Sequence, residues 1–201
     1  MPSSLLNDGK YMYLYHIEKT REMKIAFISD IHGSAHWCEK AFEAMDSWGA
    51  DVIAVMGDVM YHGPRNPLPD GYNPMRVAEI LNEHSGKIIA VRGNCDSEVD
   101  QMQITYPMME DSARMICDGR TFFLTHGHIF SPENHPSLPE GSVLVFGHIH
   151  TMVAEKRNGM VYFNPSSISL PKEEKHTWGR YENGVLEIVD DSGNILKSLK
   201  L

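Results

Sequence analysis

The stretch KIAFISDIHG, residues 24–33, runs from a short apolar segment straight into an aspartate and a histidine. Four apolar residues, Ile25 to Ile28, are too few for a helix of their own and suit a strand buried on both faces. The pattern then recurs. DVIAVMGD (51–58) and KIIAVRGN (87–94) are again apolar runs that end in glycine and a polar residue. Between them, SAHWCEKAFEAMDSW (34–48) has helical spacing closed by Gly49, and PMRVAEILNEHS (74–85) reads as a helix with proline in its first turn. Strand–helix–strand units of this kind build a largely parallel sheet.

The second half changes character. RMICDGRTFFLTHGH (114–128) reads as two strands about an Asp-Gly turn. SVLVFGHIH (142–150), MVYFNPSS (160–167), WGRYENGVLEIVD (178–190) and NILKSL (194–199) continue as strands with Asn-Gly and Ser-Gly turns. The expected fold class is α/β: two facing sheets with helices outside, in one domain over residues 23–201. Residues 1–22 stay outside the pattern. They are expected to be an N-terminal extension, with Met23 opening the functional chain; packing of Tyr11, Tyr13 and Tyr15 as an edge strand is the alternative.

Composition narrows the function. With 18 basic and 27 acidic residues the formal net charge is −9, which argues against binding long nucleic acids. No apolar run approaches the roughly 20 residues that span a bilayer, and the first residues lack the apolar segment of a secretory signal. The three cysteines, Cys38, Cys95 and Cys117, form neither a disulfide framework nor a CxxC site, so a cytoplasmic location is expected.

Every candidate ligand ends an expected strand: Asp30 and His32, Asp58, Asn94, His126, and then His148 and His150. Each alone has a bland reading, since an aspartate or asparagine after glycine is a turn residue and a single histidine is a hydrogen-bonding group at a sheet edge. Their joint occurrence in order is what points to a site, because ligands gather outside the carboxyl ends of strands in such sheets. Mixed carboxylate, amide and imidazole donors suit Mn, Fe, Zn or Ni, and seven donors exceed the needs of one ion. With one bridging carboxylate they could hold two ions roughly 3.5–4 Å apart, as phosphoester-hydrolysing sites do. In Asp30-Ile31-His32 and His148-Ile149-His150, an extended backbone would aim both polar residues one way and turn the isoleucine into the core.

The ordered blocks SDIHG, MGD, RGNCD, LTHGH and FGHIH resemble the calcineurin-like metallophosphoesterase superfamily, over nearly all of residues 23–201. GDVMYHGPRN, VRGNCDSEVDQM and NPSSISLPK are similar to its small bacterial YfcE-type phosphodiesterases. The resemblance implies a four-layer α-β-β-α sandwich of two mixed sheets and a dinuclear centre, with Mn preferred and Zn, Fe or Ni as alternatives. One ion would take Asp30, His32, Asp58 and His150. The other would take Asp58, Asn94, His126 and His148, with Asp58 as the bridge. The implied activity is hydrolysis of small phosphodiesters by a metal-activated hydroxide, Asp58 and Asn94 acting through the metal. Self-association is left open. The alternative is a protein-binding scaffold on the same fold, as in a retromer subunit of this superfamily.

The chain departs from the family at Cys95, where a histidine able to protonate the leaving group is usual. A neutral thiol is a poor general acid near pH 7, so Cys95 is read as lining the site, with a ligand or nucleophile role as alternatives. Asp96 would then support the turn or a ligand. Arg65 is the candidate phosphate clamp, in the loop YHGPRNPLPDGYNP (61–74), which also offers His62 and Asn73. Arg92 and His128 flank ligands and are further candidates for contact with substrate.

Overall fold

The computed structural model describes residues 22–201, together with the backbone of two strands before them, β1 (Ser3–Asn7) and β2 (Lys10–His16). The first half then supplies β3 (Ile25–Ile28), α1 (Ala35–Trp48), β4 (Val52–Val55), α2 (Pro74–Glu83), β5 (Ile88–Ala90) and a short α3 (Glu98–Gln101). The second half is β-rich: β6 (Ser112–Cys117), β7 (Arg120–Thr125), β8 (Val143–Val145), β9 (Met152–Arg157), β10 (Met160–Pro165), β11 (Thr177–Glu182), β12 (Val185–Asp190) and β13 (Ile195–Lys200).

They form two mixed sheets. One runs β13-β12-β11-β3-β4-β5, with β3, β4 and β5 parallel and β11 antiparallel to β3. The other runs β1-β2-β6-β7-β8-β10-β9, and the backbone of β2 pairs parallel to β6. The expected division at residue 22 falls on a segment whose side chains, those of Tyr11, Tyr13 and Tyr15 included, lie outside the described residues.

Burial explains why β3 carries no polar face. Ala26 and Ile28 pack with Ile53, Val55 and the inner residues of α1 and α2, such as Phe42, Met45, Val77 and Leu81. Ile25 and Phe27 face the opposite sheet, among Met115, Phe122, Val145 and Phe163. Phe27 stacks against Phe122 at 6.2 Å and meets Phe163 edge-on at 5.5 Å, so three aromatic rings join the sheets. The outer face of the second sheet (Phe123, Leu144, Phe146, Tyr162) is covered by Phe130 and Leu138 of the loop after β7. That fourth layer is therefore a loop among the described residues, whereas α1 and α2 form the first.

The helix signals act as expected. Ser34 caps α1 by accepting from Trp37 N, and Gly49 ends it at φ 83°. Asn73 caps α2 by accepting from Arg76 N, ahead of Pro74. The strand β9 was not expected: it lies at a sheet edge and is half exposed, so its sequence shows no apolar alternation.

Candidate metal centre

The loops after β3, β4, β5, β7 and β8 meet at one end of the two sheets, and they carry all seven expected ligands. Asp30, His32, Asp58 and His126 are buried to within 2 % of complete. The strand ends are stitched to one another through the backbone. Asp30 N donates to Gly57 O, His32 N to Asp58 O, and Gly147 N to His126 O.

The backbone does not stay extended there. Asp30, His32, Asp58, His148 and His150 all have φ between 50° and 67°. This left-handed conformation costs a non-glycine residue about 1 kcal/mol or more, and such strain concentrates at functional sites. It corrects the expected alternation. Ile31 is fully buried, but Ile149, between two left-handed histidines, is 38 % exposed and lines the cleft instead of the core.

The tautomers of three histidines follow from their partners. His32 Nδ1 lies 2.9 Å from Tyr61 O, His126 Nδ1 2.6 Å from Met56 O, and His150 Nδ1 2.7 Å from Leu170 O. A carbonyl only accepts, so each Nδ1 donates, and in the neutral ring that metal binding requires each Nε2 carries a free lone pair. Those lone pairs converge. His32 Nε2 is 3.2 Å from His150 Nε2, a separation that a shared cation would relieve.

Each carboxylate has one oxygen tied back and the other aimed at these nitrogens. Asp30 Oδ2 accepts from Ser29 Oγ at 2.5 Å and from His148 N at 3.0 Å. Its Oδ1 is buried with no hydrogen bond and stands 3.1 Å from His150 Nε2 and 3.7 Å from His32 Nε2. Asp58 Oδ1 accepts from Cys95 N at 2.8 Å, while Oδ2 lies 3.4 Å from His126 Nε2 and 3.7 Å from His32 Nε2. That oxygen stands between the two groups of histidines, where a bridge belongs. Asn94 Oδ1 is 3.2 Å from His126 Nε2, and the ring of His148 lies 5.2 Å from that of His126. Two groups of donors, Asp30/His32/His150 and Asp30/Asp58/His126, are each close enough to share an ion. A third comprises His32, Asp58 and Cys95.

The electrostatics express the same need for positive charge. Burial would raise the Asp30 carboxyl, yet His126, His150 and His32 hold it well below the usual carboxylate range. Burial lowers His126, but Asp30 and Asp58 outweigh it and raise it to about 9. His148 and His128 are lowered, first by burial and then by His126. Cys95 is pushed up to about 12, by burial and then by Asp58, so its thiol is neutral in this setting.

Behind the ligands lies a shell in which Asp96 takes the supporting place expected of it, while Ser167, Ser169 and Leu170 had no role assigned from the sequence. Asp96 accepts from Asp58 N (2.9 Å), Val59 N (2.8 Å) and Gly93 N (2.7 Å), which ties the β4 and β5 loops together. Ser167 and Ser169 both donate to Asp30 O, at 2.7 and 2.9 Å, and Leu170 O in the same segment orients His150. The available signal was NPSSISLPK, a motif without any metal-ligating side chain. Gly147 is needed for close approach, since a Cβ there would stand 2.7 Å from Asp30 Oδ2 and closer still to Ser29 Oγ.

The ligands open into a cleft of about 720 Å³ whose wall includes Tyr61, Arg65, Asn94, Cys95, Ile149 and Lys172. Arg65 is therefore on the cleft. Asn73 is spent on capping α2, Arg92 pairs with Asp111 at 2.7 Å, and His128 lies behind, 5.3 Å from the His126 ring; none of these three is on the wall.

The pattern of the calcineurin-like phosphoesterase superfamily domain matches residues 23–184. Phosphodiesterase YfcE of Escherichia coli (strain K12) is 48 % identical over 168 residues, which are 83 % of this chain and 91 % of that protein. The solved structure of that E. coli phosphoesterase superposes with a TM-score of 0.87 at 45 % identity, covering 89 % of this chain and 99 % of the other. Vacuolar protein sorting 29 from Cryptosporidium parvum shares the fold alone, with a TM-score of 0.62 at 16 % identity over 90 % of this chain and 99 % of that one.

Proposed function

The chain belongs to the calcineurin-like phosphoesterase superfamily, and on that premise we propose that it hydrolyses small soluble phosphodiesters at a centre of two divalent ions. The observation that carries this reading is the convergence of the Nε2 lone pairs of His32, His126 and His150 on the free oxygens of Asp30 and Asp58. Similarity to a phosphodiesterase over most of both chains supports a diester over a monoester.

Asp30, His32, Asp58 and His150 would hold one ion, and Asp58, Asn94, His126 and His148 the other. When bound, such ions polarise phosphoryl oxygens and supply an acidified water as nucleophile. Mn is the preferred occupant, with Zn, Fe or Ni as alternatives. The chain's own residues do the positioning. The carbonyls of Tyr61, Met56 and Leu170 orient the imidazoles, and Asp96 holds the loop that presents Asp58. Arg65, on the cleft wall, is assigned to phosphate recognition. Cys95 lines the site as a neutral thiol, so protonation of the leaving group falls to water or to another residue.

Among the described residues no helix is long and apolar enough to cross a membrane. Cys38, Cys95 and Cys117 are free thiols, which supports a reducing compartment such as the cytoplasm.

The test is hydrolysis of bis(p-nitrophenyl) phosphate beside p-nitrophenyl phosphate, on metal-stripped protein with Mn²⁺, Zn²⁺ or Ni²⁺ restored. The diester is expected to turn over faster than the monoester, and only with metal. Even residues behind a ligand commonly cost 10–100-fold, so Asp58→Asn should lose at least about 100-fold. Folded protein that binds two ions and cleaves neither ester would favour the scaffold reading.

A further inference from the structure

Two segments that orient metal ligands each carry a cation with no partner among the described residues. The first is the loop after Asp58. Its Tyr61 carbonyl holds His32 Nδ1, Asn66 Nδ2 donates to His62 O at 2.8 Å, and Asn73 N donates to Gly33 O at its far end. Pro64 and Pro67 stiffen the turn between these anchors, which displays Arg65 on the cleft wall. The second is NPSSISLPK. Ser167 and Ser169 bind Asp30 O, and Lys172 N donates to His150 O at 3.0 Å, so this backbone too is fixed to the metal centre. Its last residue, Lys172, is exposed on the same cleft.

Among the described residues neither side chain has a counter-charge, in a chain of net charge −9. The other described arginines are engaged. Arg76, Arg92, Arg157 and Arg180 pair with carboxylates, Arg114 lies over Phe123, and Arg120 donates to Gly141 O. Glu173, beside Lys172, is turned away to accept from Met152 N at 2.8 Å. Two anchored backbone segments, each displaying such a cation on the same cleft, make a site for an anion. Ions held by the ligands would meet the charge of the reacting phosphoryl group, and a cleft of about 720 Å³ extends well beyond one phosphate.

Resting on the phosphodiesterase reading, we infer that Arg65 and Lys172 form a second anion subsite, so that the favoured substrate is a phosphodiester carrying a further phosphate on its non-leaving alcohol. Lys172 is thus a specificity-determining residue, and the phosphate recognition assigned to Arg65 is refined here to the remote phosphate in place of the reacting one.

The test compares ligands that differ only by that phosphate. Binding of thymidine 3′,5′-bisphosphate and thymidine 5′-monophosphate to the Mn²⁺-loaded protein is measured by calorimetry. Hydrolysis is followed with the 5′-(p-nitrophenyl phosphate) esters of thymidine, with and without a 3′-phosphate. The bisphosphate is expected to bind about tenfold tighter, the sum of two exposed ion pairs. The preference should shrink from 50 to 300 mM NaCl and disappear in the Arg65→Ala/Lys172→Ala double variant. With hydrolysis, the advantage should lie in KM. Equal binding of the two ligands, or a preference that survives in the double variant, overturns the subsite. Lack of hydrolysis of both esters would overturn the enzyme reading alone, because binding still decides the subsite.

Discussion

At the scale of single residues, Cys95 stands where the resemblance leads one to expect a histidine. Its backbone N–H keeps a structural task, the bond to Asp58 Oδ1, which any residue could perform. Its side chain is a thiol pushed up to about 12, by burial first and then by Asp58, which makes it a poor general acid near neutral pH. A histidine there would bring an imidazole to the cleft wall. Cys95→His is expected to raise diester turnover by about tenfold or more for esters of poor leaving groups, where general acids act most strongly. It should change little for p-nitrophenyl esters, whose leaving group needs no proton. Steady-state rates across a series of aryl esters check this. A flat response would show that protonation does not limit the reaction.

At the scale of elements, α1 and α2 are joined by a histidine–aspartate pair. His84, at the end of α2, has Nδ1 2.8 Å from Ile80 O and Nε2 2.8 Å from Asp46 Oδ2 on α1. Both neighbours only accept, so the ring is doubly protonated. Burial lowers His84, but Ile80 O and Asp46 raise it above its ordinary value; burial raises Asp46, but His84 and then Lys87 hold it below its own. The raised histidine stabilises fully below about pH 6.5 and loses that contribution as pH rises through its folded value. The lowered aspartate contributes above about pH 4 and loses it as pH falls through its folded value. The pair is therefore strongest between these limits. Because Asp46 is half exposed, Asp46→Asn should lower Tm by only about 1–3 °C at pH 5.5, and by less at pH 8.5. Thermal melts of both proteins at the two pH values decide it.

At the scale of the whole molecule, the centre is a place where both sheets spend stability. Five left-handed ligands and two buried carboxylates are tolerated there because the strand ends, Asp96 and the NPSSISLPK segment surround them with bonds. Metal bound only to the folded state returns that stability. One ion at 100 times its Kd adds about 2.7 kcal/mol. For a chain of this size that amounts to roughly 5–10 °C in Tm. Stripping the protein with a chelator is therefore expected to lower Tm by at least about 5 °C, and restoring Mn²⁺ should reverse the loss. A melt insensitive to the chelator would contradict a metal centre built from these residues.

The alternation of apolar strands with helical segments, the paired turns and the placing of each ligand at a strand end were all legible along the chain, because they depend on local periodicity and on turn chemistry. The family blocks carried the same information and named the chemistry. The outward turn of Ile149 was not legible, since it follows from left-handed backbone at both flanking histidines, which only the crowding of five loops imposes. Nor was the sorting of the cleft residues. Asn73, Arg92 and Arg65 are equally polar in sequence, but one caps a helix, one meets Asp111 and one faces open space. Which Nε2 lone pairs are free depends on carbonyls from Tyr61, Met56 and Leu170, each at least 20 residues away from the histidine it orients. The chain determines what each residue can donate or accept. Only the packing of two sheets decides which partners are near enough to take it.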